Sequence, residues 1–88
     1  MHAVVVKLTI NDPQAAEKAL HEQLVPRVSQ APGFVAGYWI ALSPEKGTSV
    51  VVCDTEESAQ ALTKMTEGAP ATTVTMDSVE VGEVLGHA

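Results

Sequence analysis

The sequence is short of the residue types that build disulfide-linked, nucleic-acid-binding or membrane-spanning proteins. It has one cysteine among 88 residues, so it cannot form an internal disulfide, whereas small secreted domains usually carry several. Lysine and arginine total 5 against 11 acidic residues, which gives a net charge of −6. This charge provides none of the positive field that nucleic acid or anionic lipid requires. No apolar run approaches the roughly 18 residues of a bilayer span, and no basic stretch precedes the first apolar run. We therefore expect a soluble cytoplasmic protein.

The sequence is nevertheless rich in apolar residues. They make up 45% of the chain against 18% charged residues, with a mean hydropathy of +0.13. A disordered segment would be poorer in valine, isoleucine and leucine. The length is below that of a typical domain, so we expect one folded domain over residues 1–88.

Hydrophobic periodicity predicts the order β-α-β-β-α-β. Valine-rich runs indicate strands, and apolar residues at three- and four-residue spacing indicate helices. The predicted strands are residues 3–10, 34–42, 48–53 and 73–85, and the first helix runs from 13 to about 30.

Capping and breaking residues mark the ends of these elements. Asp12 is suited to cap the first helix and Asp54 the second, while Pro26 should bend the first helix or end its regular part early. The second helix should carry Ala59, Leu62 and Met65 on its buried face and end at Gly68 and Pro70. We expect bulges at Gly37 and near Asp77-Ser78.

The predicted order is that of a ferredoxin-like fold, with both helices on one face of a four-stranded antiparallel sheet. The first and third strands should be central, the fourth beside the first and the second beside the third. A sheet covered on one face predicts strands that alternate apolar and polar residues. These strands instead carry apolar residues on both faces, as in Val50-Val51-Val52. Because monomers rarely expose such a patch, we expect a homodimer with the two sheets face to face.

Four segments give the chain a resemblance to the dimeric α+β-barrel superfamily, in particular to its small antibiotic-biosynthesis-monooxygenase-like (ABM-like) domains. The resemblance covers nearly the whole chain. It lies in Val25-Pro26-Arg27, Pro32-Gly33-Phe34, Gly37-Tyr38-Trp39 and the helix start from Asp54 to Ala59. It implies the fold and the dimer. It does not imply a reaction, because members include oxygenases, isomerase-like and decarboxylase-like enzymes and domains without known activity.

Three residues are candidates for ligand binding. Tyr38 and Trp39 are adjacent in a strand, so one should face the helices and the other the partner sheet. The resemblance places the ligand between sheet and helices, where aromatic side chains shape the pocket. Lys7 is a charge in the middle of a central strand and could hold an anionic ligand. The structural alternatives are core or interface anchoring for Tyr38 and Trp39. For Lys7 there are two structural alternatives. Its aliphatic stem is buried while its ammonium group reaches water, or the ammonium forms an ion pair with the partner chain.

Other polar residues have simpler structural explanations. Cys53 lies in an apolar strand without a base and should be a small buried residue. His2, His21 and His87 show no zinc-binding spacing, so we predict no metal and no cofactor. We expect Asn11 and Asp12 to serve at the helix start rather than in a pocket, and Arg27 to lie near the negative end of the first helix.

The resemblance leaves two functions open. Its haem-degrading branch uses an Asn in the first strand, a Trp at the end of the third strand and a His in the second helix. This chain has Cys53 where that Trp is expected. Its first strand contains no Asn, and its second helix contains no His. The first hypothesis is a homodimer that binds a small apolar or aromatic molecule. If this homodimer is an enzyme, the reaction is a cofactor-independent monooxygenation. The second is a non-catalytic dimerisation or ligand-sensing module. A cavity of about 300 Å³ beside Trp39 or Tyr38 would favour the first.

Overall fold

The computed structural model describes residues 1–67, 74–86 and 88, and it shows one antiparallel sheet with two helices packed on one of its faces. The strands are β1 (His2–Ile10), β2 (Phe34–Ala41), β3 (Lys46–Cys53) and β4 (Val74–Glu83). They lie in the order β2-β3-β1-β4. The predicted ferredoxin-like topology, with the first and third strands in the centre, is confirmed.

The first helix (residues 13–29) is interrupted by a π-helical turn. Residues Pro13–Ala19 and Val25–Ser29 are α-helical, and Leu20–Leu24 form the π turn between them. The Val25 N–H donates to the carbonyl of Leu20, five residues earlier. Pro26 follows immediately and has no N–H to continue an α-helical ladder. The expected disturbance near Pro26 is therefore confirmed, and the π turn accommodates it without ending the helix.

The start of each helix is capped by a side chain. Asp12 accepts a hydrogen bond from the Ala15 N–H at 3.2 Å, as predicted. The prediction that Asp54 caps the second helix (Glu56–Glu67) is wrong, because the cap is Thr55, whose Oγ1 accepts from the Ser58 N–H at 3.1 Å. The backbone N–H of Asp54 is instead bonded to the Gly33 carbonyl at 2.8 Å. This bond ties the end of β3 to the loop before β2.

Several sequence predictions fall on parts of the chain outside the described residues. They are the end of the second helix at Gly68 and Pro70, the buried role of the Met65 side chain, the start of the last strand at Thr73, and the surroundings of His87.

The sheet has two bulges. The prediction of a bulge at Gly37 is wrong: the register between β2 and β3 shifts between Phe34 and Ala36, so Val35 is the extra residue. The break predicted near Asp77-Ser78 is confirmed. Lys7 pairs with Ser78 while Leu8 pairs with Met76, which leaves Asp77 as the bulged residue of β4.

The core lies between the sheet and the helices. Its buried apolar residues are Val4, Val6, Val28, Val51, Cys53, Ala59 and Leu62. The second helix contributes Ala59 and Leu62, whereas the first helix contributes Val28 alone. Neither Pro13–Ala19 nor Leu20–Leu24 contains a fully buried residue. The first helix is thus most deeply buried at its C-terminal turn, and its earlier residues are at most partly buried.

The opposite face of the sheet carries apolar side chains that no element of the described residues covers. Tyr38 is 60% exposed and Ile40 45% exposed. Leu42, which directly follows β2, is 68% exposed. Val50 and Val52 of β3 alternate with the buried Val51 and therefore share this face. We call it the open face. In the described part of the chain, no helix combines the length and apolar character needed to cross a bilayer.

Candidate functional site

A small cavity lies between the sheet and the first helix. Its volume is about 60 Å³, and its lining comes from both central strands and both helices. The lining residues are Val4, Val6, Leu8, Leu24, Val28, Trp39, Ser49, Val51 and Leu62. The cavity is therefore apolar on nearly all sides and lies on the face of the sheet where the resemblance places a ligand.

Trp39 is the aromatic residue of this cavity. It pairs with Ser49 of β3, packs against the buried core and is half-buried. Tyr38 pairs with Val50 and lies on the open face. The two side chains point to opposite sides of the sheet, as expected for neighbouring residues of a strand. Trp39 therefore contacts the space beneath the helices, and Tyr38 is available to a partner.

Ser49 is the polar residue that sequence reasoning missed. It is 6% exposed and lines the cavity opposite the first helix. The signal was present in the sequence, because Ser49 alternates in phase with Val51 and Cys53. A single hydroxyl on an otherwise apolar strand face marks a position where a donor or acceptor is tolerated inside the core.

The π turn forms part of the cavity wall. Leu24, its last residue, and Val28, one turn later, both line the cavity. No side chain of residues 13–24 is fully buried, although Leu20 and Leu24 are partly buried and Leu24 packs against the core. A molecule larger than about 60 Å³ would therefore require this part of the helix to move. Single-turn π segments occur frequently at functional sites.

Lys7 lies on the open face, away from the cavity. It is exposed and has Thr48 and Ser78 as its cross-strand neighbours. The structure therefore separates the three candidate residues: Trp39 lines the cavity, whereas Tyr38 and Lys7 lie on the other side of the sheet. They do not form one pocket within a single chain, and their role in binding stays a prediction.

Cys53 is unsuited to act as a nucleophile. It is 1% exposed, and burial, followed by the negative charge of Asp54, raises the pKa of its thiol. A thiol with a raised pKa stays protonated at neutral pH and reacts slowly. Cys53 is therefore a small core residue, as expected from its apolar surroundings.

Two of the three histidines, His2 and His21, lie within the described residues, and each is near a glutamate. His2 Nε2 lies 3.5 Å from Glu56 Oε2, while its Nδ1 is buried without a hydrogen-bond partner. His21 Nε2 lies 4.0 Å from Glu17 Oε1, one helical turn away on the surface. Across the described residues, no group of three or more His, Cys, Asp or Glu side chains is placed to hold a metal ion.

A polar network surrounds the β4 bulge at one end of the open face. Thr9 Oγ1 donates to Asp77 Oδ2 at 2.8 Å, and Lys46 Nζ donates to Thr9 Oγ1 at 2.9 Å. Lys46 Nζ also lies 3.7 Å from Asp77 Oδ2. Nearby, Asn11 Nδ2 donates to Thr75 Oγ1 at 3.1 Å. Asn11 thus links β1 to β4, which gives it a structural role.

Two solved structures share this fold along nearly their whole length. HapK from Hahella chejuensis has a TM-score of 0.71 at 15% identity and covers 100% of this chain and 96% of its own. The heme-degrader MhuD from Mycobacterium tuberculosis, solved with two hemes in its active site, has a TM-score of 0.54 at 22% identity. That match covers 97% of this chain and 98% of MhuD. No protein-family model matches the chain, and no curated protein matches it in sequence.

At these identities the likeness establishes the fold. The chain shares the fold of HapK and MhuD, which agrees with the fold that the resemblance to small ABM-like domains implied. The heme of MhuD does not transfer to this chain on the fold alone. The sequence positions that the resemblance associates with haem degradation hold other residues, with Cys53 in place of the expected Trp.

Proposed function

We propose that this protein is a homodimeric α+β barrel that binds a small apolar or aromatic molecule between its sheet and its first helix. The observation that carries the proposal is the cavity beside Trp39, which has a mainly apolar lining, one hydroxyl from Ser49 and a π turn of the first helix in its wall. Apolar pockets with few polar groups are typical of small-molecule sites.

The dimer accounts for the open face. Tyr38, Ile40 and Leu42 would remain in water in a monomer, although together with Val50 and Val52 they form a continuous apolar surface. A second copy of the same surface covers it by two-fold symmetry, in which each patch contacts its equivalent. Tyr38, the aromatic residue of this surface, belongs to a residue type that is enriched among interface anchors.

Binding without turnover is the form that the cavity supports best. Cofactor-free oxygenation of a phenol requires a group that stabilises the substrate anion. Among the described lining residues, the Ser49 hydroxyl and the Trp39 indole N–H are the polar side-chain groups. Lys7 and Tyr38, the residues expected to help, lie on the opposite side of the sheet. An oxygenase of this architecture would have to hold its substrate anion through the Ser49 hydroxyl or the Trp39 indole N–H.

The second candidate is a non-catalytic dimerisation module. It is favoured by the cavity volume of about 60 Å³, which is below the roughly 300 Å³ of an ordinary ligand pocket. In this case the space beside Trp39 is a packing defect, and the protein acts by dimerising through its open face.

Native mass spectrometry and ligand titration separate the two candidates. The wild-type protein is examined for a copurifying molecule and is then titrated with toluene, with the fluorescence of Trp39, the single tryptophan, as the signal. Saturable quenching or enhancement supports ligand binding, and Lys7→Met should leave it unchanged because Lys7 lies outside the cavity. No copurifying molecule and no saturable response would instead support the dimerisation module. Sedimentation equilibrium of a stable 9.2 kDa monomer at micromolar concentration would contradict both.

A further inference from the structure

The open face is divided into an apolar part and a charged part. On β2 and β3 it presents Tyr38 and Ile40 beside Val50 and Thr48. On β1 and β4 it presents Lys7 beside Ser78, and one row further along it presents Val5 beside Glu80. Lys7 and Glu80 are thus diagonal neighbours on adjacent strands, at the edge of an otherwise apolar surface.

Neither of these two charges forms an ion pair within the described part of the chain. Both side chains are exposed, and among the described residues neither has a partner of opposite charge within 4.0 Å. The other charged pair of this face, Lys46 and Asp77, is already satisfied by its own contact and by Thr9. If the open face is covered by a second copy, Lys7 and Glu80 lose water and require partners.

The distribution of charge selects between two ways of stacking the sheets. If the two-fold axis runs along the strands, β4 lies over β2 of the partner, and Glu80 is buried against apolar side chains. If the axis runs across the strands, each strand lies over its own copy. The apolar part then covers the apolar part, and the charged part faces the charged part. Burial of an unpaired carboxylate is costly, so the second arrangement is favoured.

We propose that Lys7 of each subunit forms an ion pair with the partner's Glu80 across the two-fold axis of the homodimer. This pairing requires the two-fold axis to cross β1 and β4 midway between the two rows, at the level of Val6 and Val79. The antiparallel copies then exchange the row of Lys7 with the row of Glu80, so that both pairs form at once. This reciprocity is what an isologous interface requires. The inference rests on the proposed homodimer and specifies its orientation: electrostatic complementarity fixes which of the possible stackings forms.

The test mixes two charge-reversed chains. Lys7→Glu places only acidic groups at these positions, and Glu80→Lys only basic ones, so each variant repels its own copy. We expect each alone to raise the dimer dissociation constant by roughly 100-fold. A mixture of the two should form a heterodimer with nearly wild-type affinity, because each acidic pair then meets a basic pair. Sedimentation equilibrium measures the affinities, and native mass spectrometry identifies the heterodimer.

Controls separate this inference from the proposed function. Lys18→Glu, an exposed reversal on the first helix, should leave the affinity unchanged. The neutral variants Lys7→Gln and Glu80→Gln provide a milder second pair if a reversed chain folds poorly by circular dichroism. If the wild type is a dimer but the reversals do not weaken it, the ion pair is wrong while the dimer stands. Weakened single variants without rescue on mixing would also overturn the ion pair, since the two charges would then act within one chain. A monomeric wild type overturns both proposals.

Discussion

The indole of Trp39 lies directly over the backbone of Gly37, two residues earlier in the same strand. A Cβ at Gly37 would lie 2.8 Å from Trp39 Cη2 and 3.0 Å from Cζ3, with Phe34 Cε1 at 3.4 Å. Glycine at this position therefore provides the space that the ring occupies. The ring in turn forms one wall of the cavity, so the orientation of Trp39 depends on a residue that has no side chain.

Gly37→Ala should destabilise the protein by about 1–3 kcal/mol, the usual cost of forcing additional atoms into a packed region. The methyl group would displace the Trp39 ring from its position beside the core. Urea unfolding gives the free energy, and the tryptophan emission maximum reports the ring. Gly82→Ala is the matched control, since a Cβ there meets nothing within 4 Å. Equal stability of the two variants would show that the ring moves freely.

Thr55→Ala should lower the free energy of unfolding by about 1 kcal/mol because it removes the cap of the second helix. Thr55→Ser retains the hydroxyl that accepts from the Ser58 N–H and should retain most of the stability. Asp54→Ala tests the residue that the sequence favoured as the cap and should cost less than Thr55→Ala. The opposite ranking of these two variants in urea unfolding would restore Asp54 as the cap.

Ionisation of Cys53 should lower the free energy of unfolding at alkaline pH. Burial and the charge of Asp54 raise the pKa of the folded thiol above its ordinary value of 9.0. The unfolded chain therefore loses the thiol proton at lower pH than the folded chain. The free energy of unfolding should be unaffected well below pH 9.0 and should fall as the pH rises through that value towards the folded pKa. Wild type should lose more stability than Cys53→Ala between neutral and alkaline pH; parallel curves for the two proteins would refute this.

Substitutions at Leu24 should change ligand affinity in opposite directions. Leu24→Ala enlarges the cavity beneath the π turn and should strengthen toluene binding, although it destabilises the fold by up to about 2–3 kcal/mol. Leu24→Phe fills the same space and should weaken binding. Isothermal titration calorimetry at one protein concentration compares the variants with wild type. Affinities that do not differ among the three proteins would place the ligand elsewhere.

The topology could be predicted because the strands and helices differ in local pattern. Runs such as Val50-Val51-Val52 favour strands regardless of tertiary context, and the change of phase near Asp77 marks a bulge in the sequence itself. Gly37 could not be interpreted correctly from pattern alone. A strand glycine is compatible with a bulge and with close approach of a ring, and only the packed position of Trp39 decides between them.

The site was less predictable than the fold for a related reason. Alternation along β2 sufficed to place Tyr38 and Trp39 on opposite faces. Whether Lys7 shares a face with either residue depends on the register of three strands, which the sequence does not specify directly. Ser49 went unnoticed because a serine in a strand is ordinary until its neighbours Val51 and Cys53 are found buried beside it.

The π turn also determines where the chain can change in length. Its hydrogen bond spans five residues instead of four, so the segment Leu20–Leu24 holds one residue more than the α-helical ladder needs. Loss of a single residue there would restore regular winding and keep Val28 in the core. The same deletion in β1 would invert every side chain beyond it. Natural variation in length should therefore be tolerated in the middle of the first helix and rejected in the central strands.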